Sequence, residues 1–199
     1  MSFNMKDEDE VNEIVIENCS IEESNVCHII FREVIFNNVN FIDVNWENAE
    51  FIHVKFQSCD LSNINLEKGI FHYCEFINCK LVGTHMINAS MREVEFKGCK
   101  CDYMMLGGSV LKDVVFNECQ MNQAGLNICQ MKQVEFYDCE MLRVELGGTK
   151  LKGIDLSTCT IEGINFRLED VRGLSLSPMQ AIEISKLLGI KVVEESKAK

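Results

Sequence analysis

Every fifth residue of this chain from Ile16 to Leu176 is apolar, and the phase never slips. The series opens Ile16, Ile21, Val26, Phe31, Phe36 and runs through Phe76, Phe96, Cys101 and Phe136 to Phe166, Val171 and Leu176. A second column, two residues before the first, holds small or branched residues such as Val34, Val39, Ala49, Cys59, Ile64, Gly69 and Cys74. Between Ile14 and Leu174 its only charged member is Glu169. The other three positions of each five are mostly polar. A helix repeats every 3.6 residues and a strand every two, so neither explains a strict period of five. Two inward and three outward residues per unit predict a chain that turns a corner every five residues.

A second period of 20 lies on the first. Phe36, Phe56, Phe76, Phe96, Phe116 and Phe136 recur at that spacing, and so do Cys59, Cys79, Cys99, Cys119, Cys139 and Cys159. If four five-residue sides close one square coil, residues 20 apart stack at the interstrand distance of about 4.8 Å. About eight coils between Ile14 and Leu174 would then build an all-β solenoid roughly 40 Å long. The likeness of Leu106–Gln120 to Leu146–Thr160 points to growth by duplication of whole coils. Three regions follow: a flexible acidic segment (residues 1–13), the coils (14–176), and a C-terminal helix with its tail (177–199).

An open solenoid exposes its core and unpaired edges at each end, which must be covered. Ser177-Pro178-Met179-Gln180 reads as a helix start, with Ser177 as N-cap, Pro178 in the first turn and Gln180 completing a capping box. Met179, Ala181, Ile182, Ile184, Leu187 and Leu188 supply apolar residues, and Gly189 ends the helix as its C′ residue. Ile190, Val192 and Val193 are expected to form a short strand, and Glu194–Lys199 to fray.

Composition narrows the class of function. No apolar run approaches the roughly 20 residues of a membrane-spanning helix. Met1–Glu10 is polar and acidic, the reverse of a secretory signal, so a cytoplasmic protein is expected. A net charge of −12 disfavours direct contact with nucleic-acid phosphates or anionic lipid, and permits basic partners. Of 11 cysteines, nine (Cys19, Cys59, Cys74, Cys79, Cys99, Cys119, Cys129, Cys139, Cys159) fall in the small inward column. Cys101 is central and Cys27 faces outward. Buried cysteine packs as a small hydrophobe, and no inward histidine accompanies Cys99 and Cys101, so no metal or other cofactor is expected. His28, His53, His72 and His85 lie at outward positions on different sides, without an acid or nucleophile at a shared spacing. Gly107-Gly108 and Gly147-Gly148 lack the Lys-Ser/Thr of a phosphate loop and are expected to be corners with positive φ. No constellation supports an enzyme.

These residues resemble the pentapeptide-repeat family, whose units read roughly A-(D/N)-L-x-x. Asn40-Phe41, Asp60-Leu61, Asn65-Leu66 and Asp155-Leu156 carry the consensus most literally. The resemblance implies a right-handed, quadrilateral β-helix without an interior pore. The tail, from Gly173-Leu174 through Gln180-Ala181 to Leu188-Gly189-Ile190, is similar to that of quinolone-resistance pentapeptide proteins. That likeness implies a homodimer of two rods joined end to end through Met179, Ala181, Ile182, Ile184, Leu187, Leu188 and Ile190; the alternative is a monomer in which the helix only covers the last coil. It also implies a DNA mimic that binds a type II topoisomerase, chiefly DNA gyrase, and modulates quinolone sensitivity.

The charge pattern bears on that implication. The sides centred on the Phe36 and Phe41 columns carry −5 and −4, those centred on Trp46 and Phe31 carry −1 and +1. Candidate partner-binding acids on the Phe36 side are Glu75, Glu95, Glu118, Glu135, Asp138 and Asp155. Glu17, Glu22, Glu23, Asp43 and Asp60 extend the surface toward the N-terminal end, where Met1–Asp60 holds 13 acids and three bases. The alternative is a scaffold with an unrelated partner, its acidic sides serving solubility.

Overall fold

The computed structural model describes residues 5–187 and 189–193. Ten parallel strands form one wound sheet. They are β1 (Glu10–Asn12), β2 (Val15–Glu22), β3 (Ile30–Arg32), β4 (Ile35–Ile42), β5 (Glu50–Ile52), β6 (Lys55–Gln57), β7 (Ile70–Ile77), β8 (Ser90–Lys97), β9 (Val110–Asn117) and β10 (Gln130–Tyr137). Every paired residue lies 20 positions from its partner, as in Phe36↔Phe56, Phe56↔Phe76, Phe76↔Phe96 and Phe96↔Phe116. A helix, α1 (Pro178–Leu187), closes the C-terminal end.

Why the chain bends every five residues is visible in its backbone. From Glu8 to Gly153 each fifth residue has a positive φ, in most cases without being glycine. These left-handed residues, two after each central apolar one, are the corners of the square. Asn18, Asn38, Asn48, Asn63, Asn78 and Asn88 share this column, and asparagine tolerates that conformation better than most residues. Gly108 and Gly148 are corners as expected, whereas Gly107 and Gly147 are not.

The interior is a set of stacked side chains. Rings of Phe36, Phe56, Phe76, Phe96, Phe116 and Phe136 lie 4.7–5.2 Å apart with planes within 9°. Phe31, Phe51 and Phe71 form a second stack at 5.3 and 4.8 Å. Trp46 is buried beside them, its Nε1 donating to Ser24 Oγ at 2.9 Å. The cysteine column does more than fill space. The thiols of Cys59, Cys79, Cys99, Cys119 and Cys139 each donate to the carbonyl of the phenylalanine 23 residues earlier, as from Cys99 to Phe76 O at 3.2 Å. Thr84 and Ser109 hydroxyls do the same for Leu61 and Met86 at 2.7 and 2.9 Å. Among the described residues no buried side-chain nitrogen or oxygen lacks a partner.

Three expectations need correction. Named strands run from Glu10 to Tyr137 and make about six turns rather than eight. Beyond them the same register continues only as isolated bridges, such as Glu140↔Thr160 and Asp155↔Ser175. The phenylalanine ladder ends at Phe136; where Leu156 follows, the side tightens into a turn closed by Cys159 N–H to Leu156 O at 2.9 Å. Second, residues 1–13 are not all outside the coils, because β1 pairs with β3 and Asp7 Oδ1 accepts from Cys27 N. Third, Ile190–Val193 form no strand; they run irregular and exposed, and pair with no strand among the described residues.

The phase also breaks locally at the last coil. A short 3₁₀ turn over Leu168–Asp170 rotates Glu169 out of the inward column and buries Asp170. Its carboxylate is met by Gly148 N–H at 2.9 Å and Lys150 Nζ at 2.8 Å. Those contacts, Lys150 foremost, hold the Asp170 carboxyl below its usual range.

Candidate interaction surface

Outward residues inherit the straightness of the ladder, so each surface column is a row of side chains one coil apart. One row on the Phe36 side reads Lys55, Glu75, Glu95, Val115 and Glu135, with Lys55↔Glu75, Glu75↔Glu95 and Val115↔Glu135 in direct register. Asp155 follows one coil later. Glu118 and Asp138 sit on successive corners of the same side. All six candidate acids of this side are exposed.

Their local partners differ. Glu75 is paired with Lys55 at 3.0 Å. Glu135 accepts from the Tyr137 hydroxyl at 2.9 Å, which raises the phenol's pKa. Asp155 accepts from Ser157 N–H at 2.8 Å, and Ser157 holds its carboxyl low. Glu95, Glu118 and Asp138 make no ion pair among the described residues.

The Phe41 side adds Glu22, Glu23, Asp43 and Asp60, and Glu17 lies on the Phe36 side of β2. Glu23 and Asp43 occupy stacked corners. Asp60 is half-buried; desolvation works to raise its pKa, but Ser62 and Lys80, the latter at 3.1 Å, leave it lowered. Farther along this side runs a shallow groove of about 470 Å³ lined by Tyr103, Asn122, Leu142 and Arg143 among others. It comes from side chains of several coils and has no signature in the pentad pattern.

At the C-terminal end the expected capping box forms: Ser177 N–H donates to Gln180 Oε1 at 2.7 Å and Gln180 N–H to Ser177 Oγ at 3.4 Å. The Gln180 amide also donates to Leu156 O and Cys159 O at 2.8 and 2.7 Å, plugging carbonyls of the last coils. Ile184 packs against the core, and Ile182 is half-buried. Met179, Ala181 and Ile190 face outward, Met179 with 70% of its surface exposed. The Leu187 side chain and Leu188 lie outside the described residues.

Other candidate chemistry stays dispersed. His28, His53 and His85 are exposed and His72 half-buried; His53 stacks on Tyr73 at 4.7 Å. Burial pushes the Cys74 thiol up to about 12 and the Cys129 thiol to about 11, the reverse of what a reactive cysteine needs. Among the described residues no group of three or more His, Cys, Asp or Glu is placed to hold a metal ion. No described helix is long and apolar enough to cross a membrane.

Two family models match the chain. One, a pentapeptide repeat region, covers residues 49–126 and 69–146. The other, pentapeptide repeats in eight copies, covers residues 29–67. No curated protein matches it. Solved structures include a trypsin-treated form of QnrB1, a plasmid-mediated fluoroquinolone resistance protein, at 16% identity and a TM-score of 0.41, covering 98% of this chain and 100% of that one. Full-length QnrB1 matches at 15% identity and a TM-score of 0.37 over 88% and 100% of the two chains. HetL, involved in heterocyst differentiation regulation in the cyanobacterium Nostoc sp. strain PCC 7120, matches at 12% identity and a TM-score of 0.39 over 85% and 87%.

Proposed function

The chain belongs to the pentapeptide-repeat family, and from that premise we propose a non-enzymatic cytoplasmic rod that binds a type II topoisomerase such as DNA gyrase through its acidic sides, in the place of duplex DNA. The observation that carries this reading is the file of exposed carboxylates along one straight side, Glu95, Glu118, Glu135, Asp138 and Asp155, continued by Glu17, Glu22, Glu23 and Asp43 toward the other end. A basic channel built for DNA attracts such a file and excludes DNA while the rod occupies it.

Magnitude limits the imitation. Counting the bridged rungs beyond the last strand, the two acidic sides carry −9 between Ile14 and Gly173 over roughly 40 Å, where a duplex of that length carries about 24 negative charges. The rod is therefore the weaker ligand per unit length, and a second copy adds total charge and contact length at the same density. Two rods joined at their C-terminal ends, through Met179, Ala181, Ile182, Ile184, Leu187, Leu188 and Ile190, would double both length and charge. The exposed apolar surface of Met179 and Ile190 supports that dimer.

A gyrase supercoiling assay with increasing amounts of the protein, with and without a fluoroquinolone, tests the reading. Inhibition or drug protection at micromolar protein is the expected result. No effect on gyrases from several sources would overturn it. A second reading, a scaffold with another partner, is favoured by the ion pairs of Lys55 with Glu75 and Lys80 with Asp60, which thin the acidic surface.

A further inference from the structure

The side centred on the Phe31 column is nearly neutral in sum, and the sum conceals its arrangement. The position after each central residue reads His72, Arg92, Lys112, Lys132, Lys152 and Arg172. Strand register stacks His72 on Arg92, Arg92 on Lys112 and Lys112 on Lys132. Backbone bonds from Leu151 N–H to Asp170 O and Gly153 N–H to Gly173 O lay the coil of Arg172 on that of Lys152, shifted so that Gly173 rather than Arg172 lies over Lys152. Arg92, Lys112 and Lys132 thus stand in a row across about 10 Å of an acidic protein, and Lys152 and Arg172 fall on the same side in the two coils that follow.

Like charges directly opposite one another on neighbouring strands repel, so the row opposes folding unless something offsets it. The first two cations have local relief, Arg92 from Glu93 at 3.6 Å and Lys112 from Asp113 at 3.8 Å. For the last three, the adjacent corner residue is Gln133, Gly153 or Gly173. Lys132, Lys152 and Arg172 are exposed and make no ion pair among the described residues. Lys150 stands beside them, its charge already engaged by Asp170. The glycine corners also keep the strip open: a Cβ on Gly173 would lie 3.1 Å from Lys152 Cγ.

We propose that the strip formed by Lys132, Lys152 and Arg172, continued by Lys112 and Arg92, is a docking surface for an acidic, extended peptide segment of a partner protein. Width selects this occupant over nucleic acid. Three residues beyond the cations, across one corner, stand Glu95, Glu135 and Asp155. A duplex laid on the strip would press phosphates against those carboxylates, whereas a single peptide strand fits beside them. In an extended strand, alternate residues share one face about 6.7 Å apart, so three carboxylates span about 13 Å. The long, flexible stems of Arg92, Lys112 and Lys132 cover that span from a base of about 10 Å, and Lys152 and Arg172 lie on the coils beyond them. This surface lies on a different side from the acidic ones and does not depend on the topoisomerase reading.

The test is fluorescence anisotropy of a labelled peptide of six Glu-Ser repeats, titrated with the full chain at 50 mM salt. Saturable binding is expected, weakened at least tenfold by combined Lys132→Glu, Lys152→Glu and Arg172→Glu, and retained within threefold by Lys132→Arg with Lys152→Arg. Circular dichroism and the unfolding midpoint establish that each variant is folded. Three results would each overturn the proposal: no binding at 200 µM protein, a folded charge-reversal variant that binds within threefold of the original, or tighter binding of single-stranded DNA of equal charge.

Discussion

Single residues in this protein are chosen by two local demands, a left-handed corner and an inward carbonyl. A non-glycine residue in the left-handed region costs about 1–2 kcal/mol, and the column from Glu8 to Gly153 accepts that cost at nearly every corner. Asparagines and glycines concentrated there were a readable signal, though the pentad pattern by itself marks the column only as polar. The donor role of the cysteines was not readable, because packing alone would admit alanine. It predicts that Cys99→Ala, which removes this donor from the Phe76 carbonyl, costs about 0.5–1.5 kcal/mol in denaturant unfolding, and that Cys99→Ser costs less. Equal losses would count against the hydrogen bond. Cys19 and Cys27 alone are less than fully buried, so native protein should release two thiols to Ellman's reagent and all 11 after unfolding. Asp170 offers a pH test. Its folded pKa is depressed by Lys150, so its contribution to stability is present above its unfolded value, about 3.9, and is lost as pH falls through the folded one. Asp170→Asn should therefore flatten the decline of stability below about pH 4; an unchanged acid limb would contradict this.

Coils and cap are the elements, and their stability is set by neighbours alone. Phe96 lies between Phe76 and Phe116 at 4.7 and 4.8 Å with no exposed surface. Phe96→Ala should cost about 3–5 kcal/mol by denaturant unfolding; a loss under about 1 kcal/mol would undo the inward register. The same ladder explains what the pentad pattern concealed. A central leucine and a central phenylalanine both read as apolar, yet the side is extended at Phe136 and turned at Leu156, so strand extent was not legible. The 3₁₀ turn at Leu168–Asp170 had a faint sign in Glu169, the one charge in the inward column. The helix was legible from Ser177, Pro178, Gln180 and Gly189, since each residue serves a backbone need at its own position. Gln180 binding back to Leu156 and Cys159 was not, because that contact spans more than 20 residues.

At the scale of the whole rod, periodicity turns a sequence column into a line of charge on a known side. The acidic sides were legible for that reason, and so were their members one by one. The basic strip was missed because charges were summed by side, where Glu50, Glu93, Asp113, Glu169 and Asp170 cancel it. Ion pairs such as Lys55 with Glu75 needed side-chain positions as well as columns. The partner is a property of two molecules, and the column pattern describes one. Replacement of duplex DNA is therefore tested most directly by competition. A labelled linear duplex bound to DNA gyrase should be displaced as this protein is added, and Glu95→Gln, Glu118→Gln and Glu135→Gln together should shift the displacement to at least tenfold higher concentration. A ternary complex holding duplex and protein at once, or displacement unaltered in that variant, would contradict the account.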